Sequence, residues 1–79
     1  MMLSKEKIGC CYLTQDGIMR LETFETDPNK VTGDSLFPAR LCNIKKPTNW
    51  ERYDVNGRHY GDQTLAKELT KDEYPELYL

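Results

Sequence analysis

The strongest signal of local structure lies in residues 50–60, which read Trp-Glu-Arg-Tyr-Asp-Val-Asn-Gly-Arg-His-Tyr. The dipeptide Asn56-Gly57 favours a two-residue type I′ turn, because both central residues of that turn need positive φ. Residues with strand propensity flank it on both sides. The sequence therefore predicts a β-hairpin with three facing pairs: Tyr53 with Tyr60, Asp54 with His59, and Val55 with Arg58.

A second hairpin is predicted upstream of the first. Ile8–Thr14 is rich in strand formers, and Gln15-Asp16-Gly17 indicates a tight turn. Ile18–Thr26 then alternates as a half-buried strand does. The alternation predicts two faces, one with Met19, Leu21 and Thr23 and the other with Arg20, Glu22 and Phe24.

The remaining segments supply one more strand and a helical end. Leu36–Ile44 is a strand candidate with Phe37, Ala39 and Leu41 on one face, and Pro38 indicates an edge or a strand start. Thr64–Leu69 can form a short helix. Thr70-x-x-Glu73 matches a capping box before a last short turn.

These elements predict one mainly β domain over residues 1–79 with a short C-terminal helix. The central part spans about residues 8–69, and residues 70–79 form an acidic, aromatic tail. A small curled antiparallel sheet or an SH3-like barrel is expected, because the strands are short and turn signals separate them. A flat sheet covered by one helix is the alternative.

Composition restricts compartment and chemistry. Cys10, Cys11 and Cys42 are an odd set without Cys-x-x-Cys or His-x-x-x-His spacing, so we expect reduced thiols, no metal site and no cofactor. Apolar runs fall short of the roughly 18–20 residues that cross a bilayer. No signal-peptide core follows Met1. The sequence thus predicts a cytoplasmic protein that is not in the membrane.

The candidate binding residues combine aromatic and basic side chains within residues 40–60, a block with five Lys or Arg and two Asp or Glu. Aromatic rings offer stacking faces and cations contact anions, although the same rings could simply form the core. The set is Arg40, Trp50, Arg52, Tyr53, Arg58, His59 and Tyr60.

Two further features have both a functional and a structural interpretation. Tyr74 and Tyr78 of the tail could dock on a partner or close the core. Asp54 and His59 could form an orienter–base pair, but a cross-strand pair that stabilises the hairpin is the commoner role.

The turns and the aromatic hairpin, Thr14-Gln15-Asp16-Gly17 and Trp50 followed by residues 54–62, resemble small phage-encoded accessory proteins of uncharacterised function. Those proteins read as a strand, Thr-x-Asp-Gly, a second strand, a variable middle, and a Trp- and Tyr-containing hairpin before an acidic tail. The resemblance extends over about residues 8–69 and implies a viral or prophage accessory protein in the cytoplasm of the host cell. It supplies no catalytic residues.

We therefore expect a non-catalytic interaction protein that binds and modulates a host or viral protein, for example as an inhibitor of a defence or nucleic-acid enzyme. The alternative is a homo-oligomer that sequesters a small anionic ligand, such as a nucleotide signal, through Arg52 and Arg58. Binding of single-stranded nucleic acid is a further alternative, and the net charge of -2 weighs against it.

Overall fold

The computed structural model describes residues 2–25, 36–59, 64–65 and 67–78. Five antiparallel strands form one sheet: β1 Cys11–Thr14, β2 Gly17–Phe24, β3 Ala39–Asn43, β4 Trp50–Tyr53 and β5 Lys67–Leu69. Their order in the sheet is β4-β3-β2-β1-β5, so β4 and β5 are its edges and the sheet does not close into a barrel. The mainly β prediction is confirmed as an open sheet. A 3₁₀ helix, Lys5–Lys7, precedes the strands, and another, Pro75–Tyr78, follows them.

The first hairpin joins β1 and β2 as predicted. Thr14 pairs with Gly17, which leaves Gln15 and Asp16 as the loop. Gly17 has φ 104°, a conformation that residues with a Cβ rarely adopt. The Thr14 hydroxyl donates to the Gly17 carbonyl (2.9 Å) and accepts from the Asp16 N–H (3.1 Å), so the turn is also held by a side chain.

A β-bulge in β2 changes the predicted alternation. Leu21 pairs with Leu41 but Thr23 pairs with Arg40, so Glu22 is an extra residue on the β2 side. One extra residue moves everything after it to the other face. Phe24 is therefore buried on the same face as Leu21, while Thr23 is exposed. The faces predicted for Thr23 and Phe24 were wrong.

Strand β3 is shorter than predicted and lies inside the sheet. It begins at Ala39, directly after the buried Pro38, and it pairs with both β2 and β4. Proline lacks the N–H that an interior strand must donate, so the ladder starts only after it. The strand-start interpretation of Pro38 is confirmed, and the edge interpretation is wrong.

The second hairpin has a longer turn than Asn56-Gly57 predicts. The Asp54 N–H donates to the Arg58 carbonyl (2.8 Å) and the Gly57 N–H donates to the Asp54 carbonyl (3.0 Å). Gly57 has φ 81°, whereas no described non-glycine residue has positive φ, so Asn56 does not meet the requirement of a type I′ turn. The turn is instead a three-residue type I turn with a glycine bulge. The Asp54 Oδ1 accepts the N–H of Asn56 and of Arg58, both at 2.9 Å, and so stabilises that turn.

This longer turn moves the hairpin register by one residue. Tyr53 bridges to His59, so the predicted facing pairs of Asp54 with His59 and of Val55 with Arg58 were wrong. Tyr60 lies outside the described residues.

Strand β5 forms where the sequence predicted part of a helix. Glu68 pairs with Tyr12 and Leu69 with Cys11, while Thr64 bridges to Arg58. The helix predicted over residues 64–69 was wrong, because backbone groups of β1 need hydrogen-bond partners and tertiary pairing overrides a weak local propensity.

One face of the sheet carries the core. Leu3 and Leu65 come from outside the strands and pack against this face, and the Leu3 N–H donates to the Val55 carbonyl at 2.7 Å. The core cluster comprises Leu3, Tyr12, Met19, Leu21, Phe24, Ala39, Leu41, Tyr53 and Leu65.

The C-terminal segment is bound to the sheet. The Thr70 hydroxyl accepts the Glu73 N–H (3.3 Å) and donates to the Glu73 carboxylate (3.2 Å), which gives the predicted turn. Further along, the Tyr78 hydroxyl accepts the Cys11 N–H (2.8 Å) and donates to the Leu69 carbonyl (2.5 Å). Tyr78 therefore links β1 to β5.

Candidate functional site

The face opposite the core, here called the outer face, gathers the basic side chains. On β3 and β4 the residues that alternate with core Leu41 and Tyr53 point to this face. In the register Arg40 is opposite Arg52 and Cys42 is opposite Trp50. The structure thus brings three predicted site residues onto one surface, namely Arg40, Trp50 and Arg52.

Arg40 and Trp50 form the centre of the outer face. The Arg40 guanidinium carbon lies 4.4 Å from the centroid of the Trp50 ring, within the range of a cation–π contact. Trp50 keeps 43% of its surface exposed although it is a large aromatic residue. The Arg40 Nε is buried and has no hydrogen-bond partner. The pair is therefore an oriented cation beside an exposed indole.

Two more arginines extend the positive charge of the outer face. The Arg52 Nε donates to the Phe37 carbonyl at 3.1 Å, which fixes that side chain beside Arg40. The Arg20 Nη2 donates to the Leu77 carbonyl at 2.7 Å, next to the C-terminal 3₁₀ helix. Sequence reasoning missed Arg20, because only the register, which pairs it with Cys42, places it here.

Tyr53 is part of the core instead of the outer face. It is fully buried, its hydroxyl lies 3.8 Å from the Met19 sulfur, and burial raises its pKa to about 12. Arg58 is exposed at the end of the second hairpin, away from the Arg40–Trp50 pair in the register. The predicted set therefore divides between the outer face, the core and the hairpin end.

His59 has a different carboxylate partner from the one its sequence position suggested. Its Nε2 lies 2.6 Å from Glu51 Oε2, and its ring is tilted against Tyr53 with centroids 5.5 Å apart. The one-residue shift of the hairpin register brings Glu51 to it, while Asp54 is used in the turn. The His59 side chain is only 9% exposed, so the pair joins β4 to the returning chain.

The two tail tyrosines have structural contacts. Tyr78 makes both of its hydroxyl hydrogen bonds inside the molecule, and burial raises its pKa. Tyr74 is half-buried, with the Lys67 ammonium 5.8 Å from its ring centroid. Of the two interpretations of this segment, the structure shows the one in which it packs on the sheet.

An open groove of about 470 Å³ lies between the first 3₁₀ helix and the C-terminal segment. Lys7 and Glu68 form an ion pair across it (3.3 Å), and burial together with Glu68 raises the pKa of the Cys10 thiol. No local motif marks this groove in the sequence. In the described part of the chain, no three His, Cys, Asp or Glu side chains come together to hold a metal ion.

The sequence matches no protein-family model, and comparisons with curated proteins and with solved structures find no similar chain. Among the residues described above, no helix has the length and apolar character needed to cross a membrane.

Proposed function

We propose that this chain is a non-catalytic interaction module that docks a partner protein on its outer face. The observation that carries the proposal is the exposed Arg40–Trp50 pair, held on two neighbouring strands. Tryptophan and arginine are the residues most enriched where protein interfaces concentrate their binding energy. Both are already oriented here, so little conformational freedom is lost on binding.

The resemblance to phage accessory proteins supports a host protein as the partner, in the cytoplasm of the host cell. Three free cysteine thiols agree with a reducing compartment. Binding would act by occupying a surface that the host protein needs, for example in a defence or nucleic-acid enzyme. Such a mechanism needs no catalytic group in this chain.

The test compares partner capture by four immobilised proteins: the unaltered chain, Trp50→Ala, Arg40→Gln and, as control, Arg58→Gln. Arg58 is an exposed arginine outside the Arg40–Trp50 pair, so its replacement removes the same charge elsewhere. We expect one stoichiometric partner to be retained by the unaltered chain and by Arg58→Gln and lost from the other two. Equal capture by all four proteins would refute the proposal.

The same four proteins also test whether the outer face binds a small anionic ligand instead of a partner protein. Each is melted with and without a panel of nucleotides, since a ligand at about 100 times its Kd adds roughly 2.7 kcal/mol to stability. We expect unchanged melting temperatures. A rise that disappears in Arg40→Gln would show that the outer face binds a nucleotide instead of a protein.

A further inference from the structure

We infer that the group recognised by Arg40 is a carboxylate, and that the partner presents it beside an apolar side chain. This inference rests on the proposed function, because it names the chemistry of the partner that the outer face binds.

The hydrogen-bonding state of Arg40 is the first argument. A guanidinium has five N–H donors, and a buried donor is normally paired. The contact that holds the Arg40 guanidinium is the Trp50 ring, which accepts no conventional hydrogen bond, and Nε has no acceptor. Trp50 therefore positions Arg40, and since Nε is buried, a partner's carboxylate would meet the terminal N–H groups of the planar guanidinium.

The placement of the protein's own carboxylates is the second argument. Glu51 alternates with Trp50 and Arg52 along β4, and its carboxylate bonds His59 on the other face at 2.6 Å. Glu68 of β5 pairs with core residue Tyr12 in the register and binds Lys7. These two carboxylates lie away from the outer face, so neither competes for Arg40. The exposed Glu22 of the β2 bulge precedes Thr23, which is opposite Arg40 in the register.

Two observations favour a carboxylate peptide over a polyphosphate. One guanidinium balances one negative charge, as a carboxylate carries. The chain as a whole has a net charge of -2, which opposes a long polyanion. The exposed indole of Trp50 lies beside the cation and offers contact area for an apolar side chain next to the carboxylate.

Trp50 is the only tryptophan in the chain, so its fluorescence reports on this site alone. The probe is a short peptide, blocked at both ends, with one glutamate next to leucine, and its control has glutamine in place of the glutamate. Both are titrated into the unaltered chain, Arg40→Lys and the control Arg58→Lys. Circular dichroism first establishes that each variant is folded.

We expect the glutamate peptide to change the Trp50 emission and the glutamine peptide to bind at least about tenfold more weakly, a difference of roughly 1.4 kcal/mol. Arg40→Lys keeps the charge but loses the fork, and we expect about a tenfold weaker Kd for the glutamate peptide. Arg58→Lys should leave that Kd unchanged.

Three results would overturn the inference. They are equal affinity for the two peptides, no binding of the glutamate peptide, and inorganic phosphate displacing it at concentrations where acetate does not. A concentration-dependent dimer that Arg40→Gln abolishes would assign the site to a second copy of this chain. The proposed function fails separately, when partner capture survives Trp50→Ala.

Discussion

Replacing Tyr78 with phenylalanine tests whether the C-terminal segment is part of the folded domain. The substitution removes one oxygen atom and keeps the ring. That oxygen accepts from the Cys11 N–H at 2.8 Å and donates to the Leu69 carbonyl at 2.5 Å. Cys11 is 0% and Leu69 4% exposed, so water reaches the two released backbone groups poorly.

The expected loss of stability follows from these contacts. A net contribution of about 0.5–1.5 kcal/mol per hydrogen bond gives about 1–3 kcal/mol for Tyr78→Phe, and buried groups left unpaired favour the upper half of that range. A domain of this size loses roughly 4–8 °C in Tm per kcal/mol. We therefore expect a fall of roughly 8–16 °C for a loss of about 2 kcal/mol.

The assay is thermal and urea unfolding, each followed by far-ultraviolet circular dichroism, with Tyr74→Phe as the matched control. Tyr74→Phe removes the same atom but keeps the ring that lies 5.8 Å from the Lys67 ammonium and the backbone hydrogen bonds of Tyr74. We expect Tyr74→Phe to stay within about 0.5 kcal/mol of the unaltered chain. Equal unfolding midpoints for the two variants would show that the Tyr78 hydroxyl does not stabilise the fold.

Three further predictions concern the turn, the core and alkaline pH. Gly57→Ala places a Cβ on a backbone with φ 81° and should cost about 1–2 kcal/mol in urea unfolding, so an unchanged midpoint would contradict the turn assignment. Leu41→Ala should lower the free energy of unfolding by about 2–5 kcal/mol, because Leu41 is 0% exposed. The control Leu36→Ala should change it by less than about 0.5 kcal/mol, because Leu36 is 66% exposed. Similar losses for the two variants would contradict the position of the core. Burial raises the pKa of Tyr12 above the ordinary value of 10.0 and raises the pKa of Tyr53 to about 12. Above pH 10 the folded chain therefore keeps protons that the unfolded chain releases. The contribution of these two tyrosines to the free energy of unfolding is therefore fully present below pH 10. It should fall from there toward pH 12, by up to about 1.4 kcal/mol per pH unit for each tyrosine. Urea midpoints that stay level over this range would contradict the burial of both hydroxyls.

Turn residues made much of the sheet predictable. Gly17 and Gly57 both take positive φ, and both hairpins form around them. A glycine indicates where the chain reverses, but its exact position in the turn depends on neighbouring side chains. At the second hairpin the Asp54 carboxylate accepts two backbone N–H groups and so favours the longer turn. No dipeptide rule includes that contact, so the register was one residue off.

Two other features depend on contacts between distant residues. The bulge at Glu22 is defined by the pairing of β2 with β3, so alternation within β2 alone could not reveal it. Residues 67–69 become a strand because they pair with β1, more than fifty positions earlier. A local propensity cannot report such a pairing, and the predicted helix failed for that reason.

The sequence predicted which types of residue form the candidate site, but not which individual residues lie on the outer face. Arg40 and Trp50 were both identified from their residue types, and the structure stacks them. Tyr53 was in the same set, yet it points to the opposite face because it lies three positions from Trp50 on β4. Arg20 joins the outer face through the register alone.

The sheet order has a consequence for the order of synthesis. Of the five described strands, β1 leaves the ribosome first and its second partner, β5, leaves it last. Until residues 67–69 emerge, β1 is the open edge of a four-stranded sheet, and an open edge is a template for pairing with other chains. Chains that end before β5 should therefore aggregate more readily than chains that contain it. A stop codon after residue 65, placed upstream of β5, should move the product into the insoluble fraction while the chain of residues 1–79 stays in solution.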